Sequence, residues 1–94
     1  MLDGIRILDL GSHVSGPFCA KLLADFGADV VKVEPPAGDV ARRAGPFAGD
    51  GPHPEKSIPF LYLNTNKRGI TLDVSSTTGR RILGSLLETA DVVV

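Results

Sequence analysis

Gly11-Ser12-His13-Val14-Ser15-Gly16-Pro17 is the stretch of this chain whose residue types best suit a ligand. It follows a short β-branched and aliphatic run and precedes a helical pattern, so it joins a strand to the start of a helix. Free backbone N–H groups and the positive end of the helix dipole favour an anionic or dipolar group there. The spacing excludes two familiar phosphate cradles. A Walker loop places Lys and then Ser or Thr directly after its second glycine, to reach phosphate and magnesium, whereas Pro17 and Phe18 follow Gly16. A dinucleotide fingerprint needs three glycines spaced G-x-G-x-x-G, and this turn holds only Gly11 and Gly16. Glu34 does sit where a ribose-binding acid would lie. From spacing alone, an ordinary connection and a ligand turn both stay open.

The other reactive side chains read more plainly. His13 is either a polar turn residue or a substrate contact, and His53, between Pro52 and Pro54, reads as surface. Cys19 falls on the apolar side of a helical pattern, so a buried structural thiol is expected. As the only cysteine it excludes an internal disulfide and a metal-thiolate cluster, and it fits a reducing compartment, the cytoplasm by default. No metal site is expected. Asp3 and Asp9 suggest a carboxylate pair, but Asp9 lies inside a strand and is expected to accept structural hydrogen bonds. Arg42 and Arg43 read as solvated, and Lys67 and Arg68 as a solvated or structural pair at a strand edge.

These residues must be carried by alternating strands and helices. Residues 5–10 form a strand pattern ended by Gly11. Residues 17–26 form a helix with Phe18, Cys19, Leu22, Leu23 and Phe26 on its apolar face, Lys21 and Asp25 opposite, and Gly27 as its stop. A second strand covers 28–34. Residues 35–59 hold six of the seven prolines and read as one long loop, of a length that marks it as either functional, covering a site, or partly mobile. Residues 58–64 fit a helical turn or an extended segment. A strand over 69–73, a helix over 77–89 capped by Ser75 or Ser76, and a strand over 91–94 complete the chain. The expected fold is α/β, a Rossmann-like parallel sheet built from right-handed βαβ units and forming the incomplete N-terminal portion of a large domain. With 94 residues, 43% hydrophobic and 22% charged, the chain reads as one soluble globular piece. Its net charge of −1, with acids and bases interleaved, argues against nucleic acid, and no apolar run reaches the roughly 18 residues that would span a membrane.

Several blocks, in order and spacing, resemble the opening of the class III coenzyme A transferases, the group of formyl-CoA and carnitine CoA transferases and the related α-methylacyl-CoA racemases. They are Leu2-Asp3-Gly4, Leu8-Asp9, the Ser15-Gly16-Pro17 turn, the run from Leu22 to Glu34, and the run from Asn64 to Asp73. The resemblance covers nearly the whole chain outside the proline-rich loop.

The resemblance implies an enzyme that moves a coenzyme A thioester between carboxylic acids. Acyl-CoA and a carboxylic acid are then its substrates, with no permanently bound cofactor and an interlocked homodimer as the assembly. In such transferases an aspartate attacks the donor thioester, giving a mixed anhydride and then a covalent CoA thioester. None of Asp3, Asp9, Asp25, Asp29, Asp39, Asp50, Asp73 or Asp91 matches that nucleophile, so no catalytic residue is expected within the chain. The CoA and substrate contacts implied here are His13, Val14 and Ser15 at the thioester and pantetheine end, Pro35 after the second strand, and Leu72, Asp73, Val74 and Ser75 beside the adenine. Lys67, Arg68, Arg42 and Arg43 are alternative phosphate contacts. Val14 stands where formyl-CoA transferase carries a glutamine near the acyl group. It cannot donate that hydrogen bond, which argues against a formyl or oxalyl substrate. Pro35 and Ser75 replace basic residues found in some relatives. The racemase branch of the family stays open beside the transferases, and two other readings remain: a nicotinamide-dependent oxidoreductase with a degenerate turn, and a non-catalytic α/β module.

Overall fold

The computed structural model describes residues 1–49 and 51–94; Asp50, one of the carboxylates considered above, lies outside the described residues. The chain runs β1 (Arg6–Asp9), α1 (Ser15–Asp25), β2 (Asp29–Glu34), a 3₁₀ turn (Val40–Arg43), α2 (Ile58–Leu63), β3 (Arg68–Thr71), α3 (Thr77–Thr89) and β4 (Val92–Val93). The four strands form one all-parallel sheet in the order β3-β2-β1-β4. Ile7 lies opposite Val30 on one side and Val92 on the other, which makes β1 central.

The period-two alternation of strands assigns the two faces. Ile7 and Val30 pack with Ala20, Ala24 and Ala28 beneath α1, fringed by Leu2, Ile5, Leu23 and Val94. Two residues on from Ile7 and Val30, the same alternation turns Asp9, Lys32 and then Glu34 toward this layer, and all three are buried. Leu8, Val31 and Val33 are also buried and face the opposite way. On that side Leu83 and Leu86 of α3 are only half-buried, and Gly79 is the helix's one buried residue.

Helix α1 corrects one expectation. Pro17, Ala20 and Ala24 form its buried face, while Cys19 is exposed and Phe18, Leu22 and Phe26 remain 40%, 43% and 54% accessible. The small residues let the helix backbone approach the sheet, which turns the larger apolar side chains outward. Lys21 and Asp25 do pair at i,i+4, 2.6 Å apart. Gly27 follows the helix at φ +104°, and a Cβ there would lie 2.9 Å from Asp3 Oδ1.

Side chains tie together the described residues after β2. Asp39 caps the 3₁₀ turn by accepting from the Ala41 N–H at 2.9 Å. Ser57, fully buried, shares its one hydroxyl proton between the carbonyls of Ala41 and Ala44 and accepts from the Phe60 N–H as the cap of α2. One hydroxyl thereby folds the loop back onto itself. Helix α2 resolves the ambiguity of residues 58–64 in favour of a helix and packs against both α1 and the 3₁₀ turn.

Candidate functional site

The spacing of Gly11 and Gly16 has a steric cause. A Cβ on Gly11 would fall 2.9 Å from the Gly16 Cα, and one on Gly16 would fall 3.0 Å from the Gly11 Cα, so the two ends of the turn touch through bare backbone. Between them, His13 adopts φ +68°. Two amides of the turn point inward: Gly11 N–H donates to Asp9 Oδ1 at 3.0 Å, and His13 N–H to Asp39 Oδ1 at 2.9 Å. The N–H groups of Ser12, Val14, Ser15 and Gly16 find no acceptor among the described residues. They crowd the N-terminus of an eleven-residue helix whose Ncap, Val14, offers no side-chain cap.

Beneath the turn lies a buried network of charge. Lys67 Nζ donates to Asp9 Oδ2 at 2.7 Å, to the Asn64 side chain at 2.7 Å and to the Pro17 carbonyl at 2.9 Å. Lys32 Nζ lies 2.8 Å from Asp39 Oδ2 and 3.8 Å from Asp9 Oδ2, and donates to the Gly11 carbonyl. Arg42 donates to both oxygens of Glu34 at 2.7 Å, and Glu34 Oε2 also accepts from the Asp39 N–H at 2.8 Å. The guanidinium also stacks 3.8 Å above the Phe60 ring. Three acids thus meet three bases, and burial on this scale is tolerable because every charge has a partner.

The titration of these groups follows from their surroundings. The Arg42 guanidinium holds the Glu34 carboxyl below its ordinary range against the opposing effect of burial. Burial pushes Asp39 upward, but the Ala41 N–H, the Lys32 ammonium and the His13 N–H together outweigh it and leave the carboxyl lowered. Burial lowers Lys67, with Asp9 opposing.

On the α3 side of the turn, a cleft of about 330 Å³ opens at the carboxyl ends of the strands. Leu10, Val33, Pro35, Leu72, Val74 and Leu83 give it apolar walls, and Ser12 and Glu34 complete the rim. Ligands of open parallel sheets bind at this end of the strands.

Of the expected contacts, the structure gathers Pro35, Leu72 and Val74 into this one cleft. His13, Val14 and Ser15 lie in the adjoining turn, exposed, next to Ser12. Asp73 and Ser75 do not line it: Asp73 accepts from the Ser75 N–H and hydroxyl, and its carbonyl accepts from the Ser76 hydroxyl, so these residues shape the start of α3. Ser76, not Ser75, caps the helix, accepting from the Gly79 N–H. Leu10, Val33 and Leu83 were missed as wall residues because each belongs to an ordinary strand or helix pattern. Arg42, read as solvated, is engaged by Glu34, while the Lys67 side chain is buried and structural; Arg68 is exposed and pairs with Asp29 at 2.7 Å. Among the described residues no group of three or more His, Cys, Asp or Glu is placed to hold a metal, and no helix is long and apolar enough to cross a membrane.

The chain is 47% identical over 93 residues to the succinyl-CoA:mesaconate CoA-transferase of Haloarcula hispanica, covering 99% of this chain and 24% of that protein. It is 49% identical over 94 residues to a formyl-CoA:oxalate CoA-transferase of Rhodopseudomonas palustris, covering 99% of this chain and 21% of that one. The chain thus spans about a quarter of the length of the relatives it matches. Among solved structures, a CaiB/BaiF family protein from Brucella suis superposes with a TM-score of 0.88 at 38% identity, over 98% of this chain and 24% of that one. A hypothetical protein from Mycobacterium tuberculosis gives 0.83 at 38% identity, over 99% of this chain and 24% of that one. Residues 2–94 match the sequence profile of CoA-transferase family III, and the chain belongs to that family.

Proposed function

We propose that this chain supplies part of the coenzyme A site of an enzyme that transfers CoA between carboxylic acids. The apolar cleft formed by Val33, Pro35, Leu72, Val74 and Leu83 would take the adenine. The unpaired amides of Ser12, Val14, Ser15 and Gly16 would meet the pantetheine carbonyls and the thioester. The observation that carries the reading is this adjacency of an apolar slot and a polar turn, which suits a ligand with a flat aromatic end and a long amide-bearing arm. No basic side chain lines the cleft, so the ligand's phosphates are met by solvent or by groups outside these residues. The nucleophilic aspartate likewise belongs outside this chain. The reading extends to a cytoplasmic homodimer using an acyl-CoA and a free carboxylic acid, with no permanently held cofactor.

A melting scan of the full-length protein with CoA and with NAD separates this reading from a dinucleotide enzyme. A ligand present at a hundred times its dissociation constant stabilises the native state by about 2.7 kcal/mol. CoA is expected to raise the melting temperature and NAD to leave it unchanged. An upward shift with NAD alone, or with neither, rejects the proposal.

A further inference from the structure

We propose that Asp39, far from the turn in sequence, is the positioning residue that decides which amides of the Gly11–Gly16 turn face the ligand. The inference rests on the reading of that turn as a coenzyme A contact. Asp39 is 2% exposed and spans three elements. Its Oδ1 accepts from the His13 N–H at 2.9 Å and from the Ala41 N–H at 2.9 Å, and its Oδ2 faces the Lys32 ammonium at 2.8 Å. Its own N–H is held by Glu34 Oε2 at 2.8 Å.

The consequence for the turn is geometric. A histidine at φ +68° occupies the sparsely populated left-handed region, and the buried carboxylate directly below it supplies the compensating bond. With the His13 N–H drawn inward, the amides on either side of it, Ser12 and Val14, have no acceptor among the described residues and are left for a ligand. A carboxylate at this place would also repel an anionic ligand, but Lys32 neutralises it and braces the Gly11 carbonyl with the same ammonium. The loop after β2 and the turn after β1 are thereby joined through one side chain.

The test separates the acceptor from the charge. Two double variants of the full-length protein remove the Lys32–Asp39 ion pair without stranding a buried charge: Lys32→Met with Asp39→Asn, which keeps an oxygen for the His13 N–H, and Lys32→Met with Asp39→Leu, which does not. Binding of acetyl-CoA is measured by calorimetry on both and on the parent. The Asn variant is expected to bind within about threefold of the parent and the Leu variant roughly tenfold more weakly, a loss on the scale of one or two oriented hydrogen bonds. Equal affinity in both variants, or equal loss in both, overturns the proposal. Absence of acetyl-CoA binding in the parent instead defeats the underlying coenzyme A reading. If the Leu variant does not fold, amide exchange in the parent decides the matter: His13 is expected to be protected and Ser12 to exchange freely, and comparable fast exchange at the two overturns the assignment.

Discussion

Replacement of Lys67 by methionine tests whether the buried charge network holds the turn and the sheet together. The Lys67 side chain is 1% exposed, and its partner Asp9 is fully buried. All three ammonium protons are used, on Asp9, Asn64 and the Pro17 carbonyl. Methionine keeps the length and apolar bulk of the stem and removes only the charge and its donors. Breaking one side of a buried pair typically costs about 3–5 kcal/mol. The lower end applies here, because Asp9 retains the Gly11 N–H at 3.0 Å and Lys32 at 3.8 Å. With a urea dependence of about 2 kcal/mol per molar, a loss of about 3 kcal/mol lowers the unfolding midpoint by about 1.5 M. The partner substitution Asp9→Asn should lower the midpoint comparably, by stranding the lysine. Combining Lys67→Met with Asp9→Asn strands neither, so the double variant should be more stable than the sum of the two losses by about 2–3 kcal/mol. Denaturation followed by circular dichroism measures all three. A midpoint change below about 0.3 M for Lys67→Met, or strict additivity in the double variant, would refute the claim that this pair is a coupled structural unit.

Two further outcomes follow from the same buried contacts. Glu34 and Asp39 are held below their ordinary values of 4.5 and 3.8, so the unfolded chain takes up protons before the native state does as the pH falls. Their contribution to stability is complete above that range and is lost as the pH drops through the lowered native values; the urea midpoint should therefore hold near pH 6 and decline below about pH 4.5, and a flat profile to about pH 3 contradicts the sign. At Gly79 a Cβ would overlap the Asp73 carbonyl, so Gly79→Ala should destabilise by about 1–3 kcal/mol despite alanine's better helix propensity, and a raised melting temperature would show that the start of α3 can shift at little cost.

Strand and helix positions were legible where local pattern and tertiary packing agree, whereas the strand order came only with the structure. The run of β2 sits between β1 and β3, and its alternation of Val30 with Lys32 and Glu34 already divides its faces. The turn glycines were noticed as punctuation, yet their reason is a contact between Gly11 and Gly16 that no spacing rule expresses. The contacts that hold the loop after β2 escape local pattern for a similar cause. Six prolines announce irregular backbone, but the order there comes from Ser57 and Asp39, polar residues whose partners lie 13 to 26 positions away.

The reversed face of α1 shows the limit of periodicity most clearly. At helical spacing, Phe18, Leu22 and Phe26 form a stripe as regular as Ala20 and Ala24, and hydrophobicity favours the larger side chains as the core. A helix crossing a sheet is governed by how closely its backbone can approach. Ala20, fully buried above Ile7 and Val30, permits a separation that phenylalanine or leucine would prevent. Volume at the contact therefore outweighs hydrophobicity summed along the face. The same reasoning applies to the site itself. Leu10, Val33 and Leu83 read as core by composition, but they border a cleft because α3 crosses the sheet with Gly79 pressed against the Asp73 carbonyl and its leucines only half sunk. The apolar slot thus arises from incomplete burial at the carboxyl ends of the strands, where a ligand can supply the contacts that α3 does not.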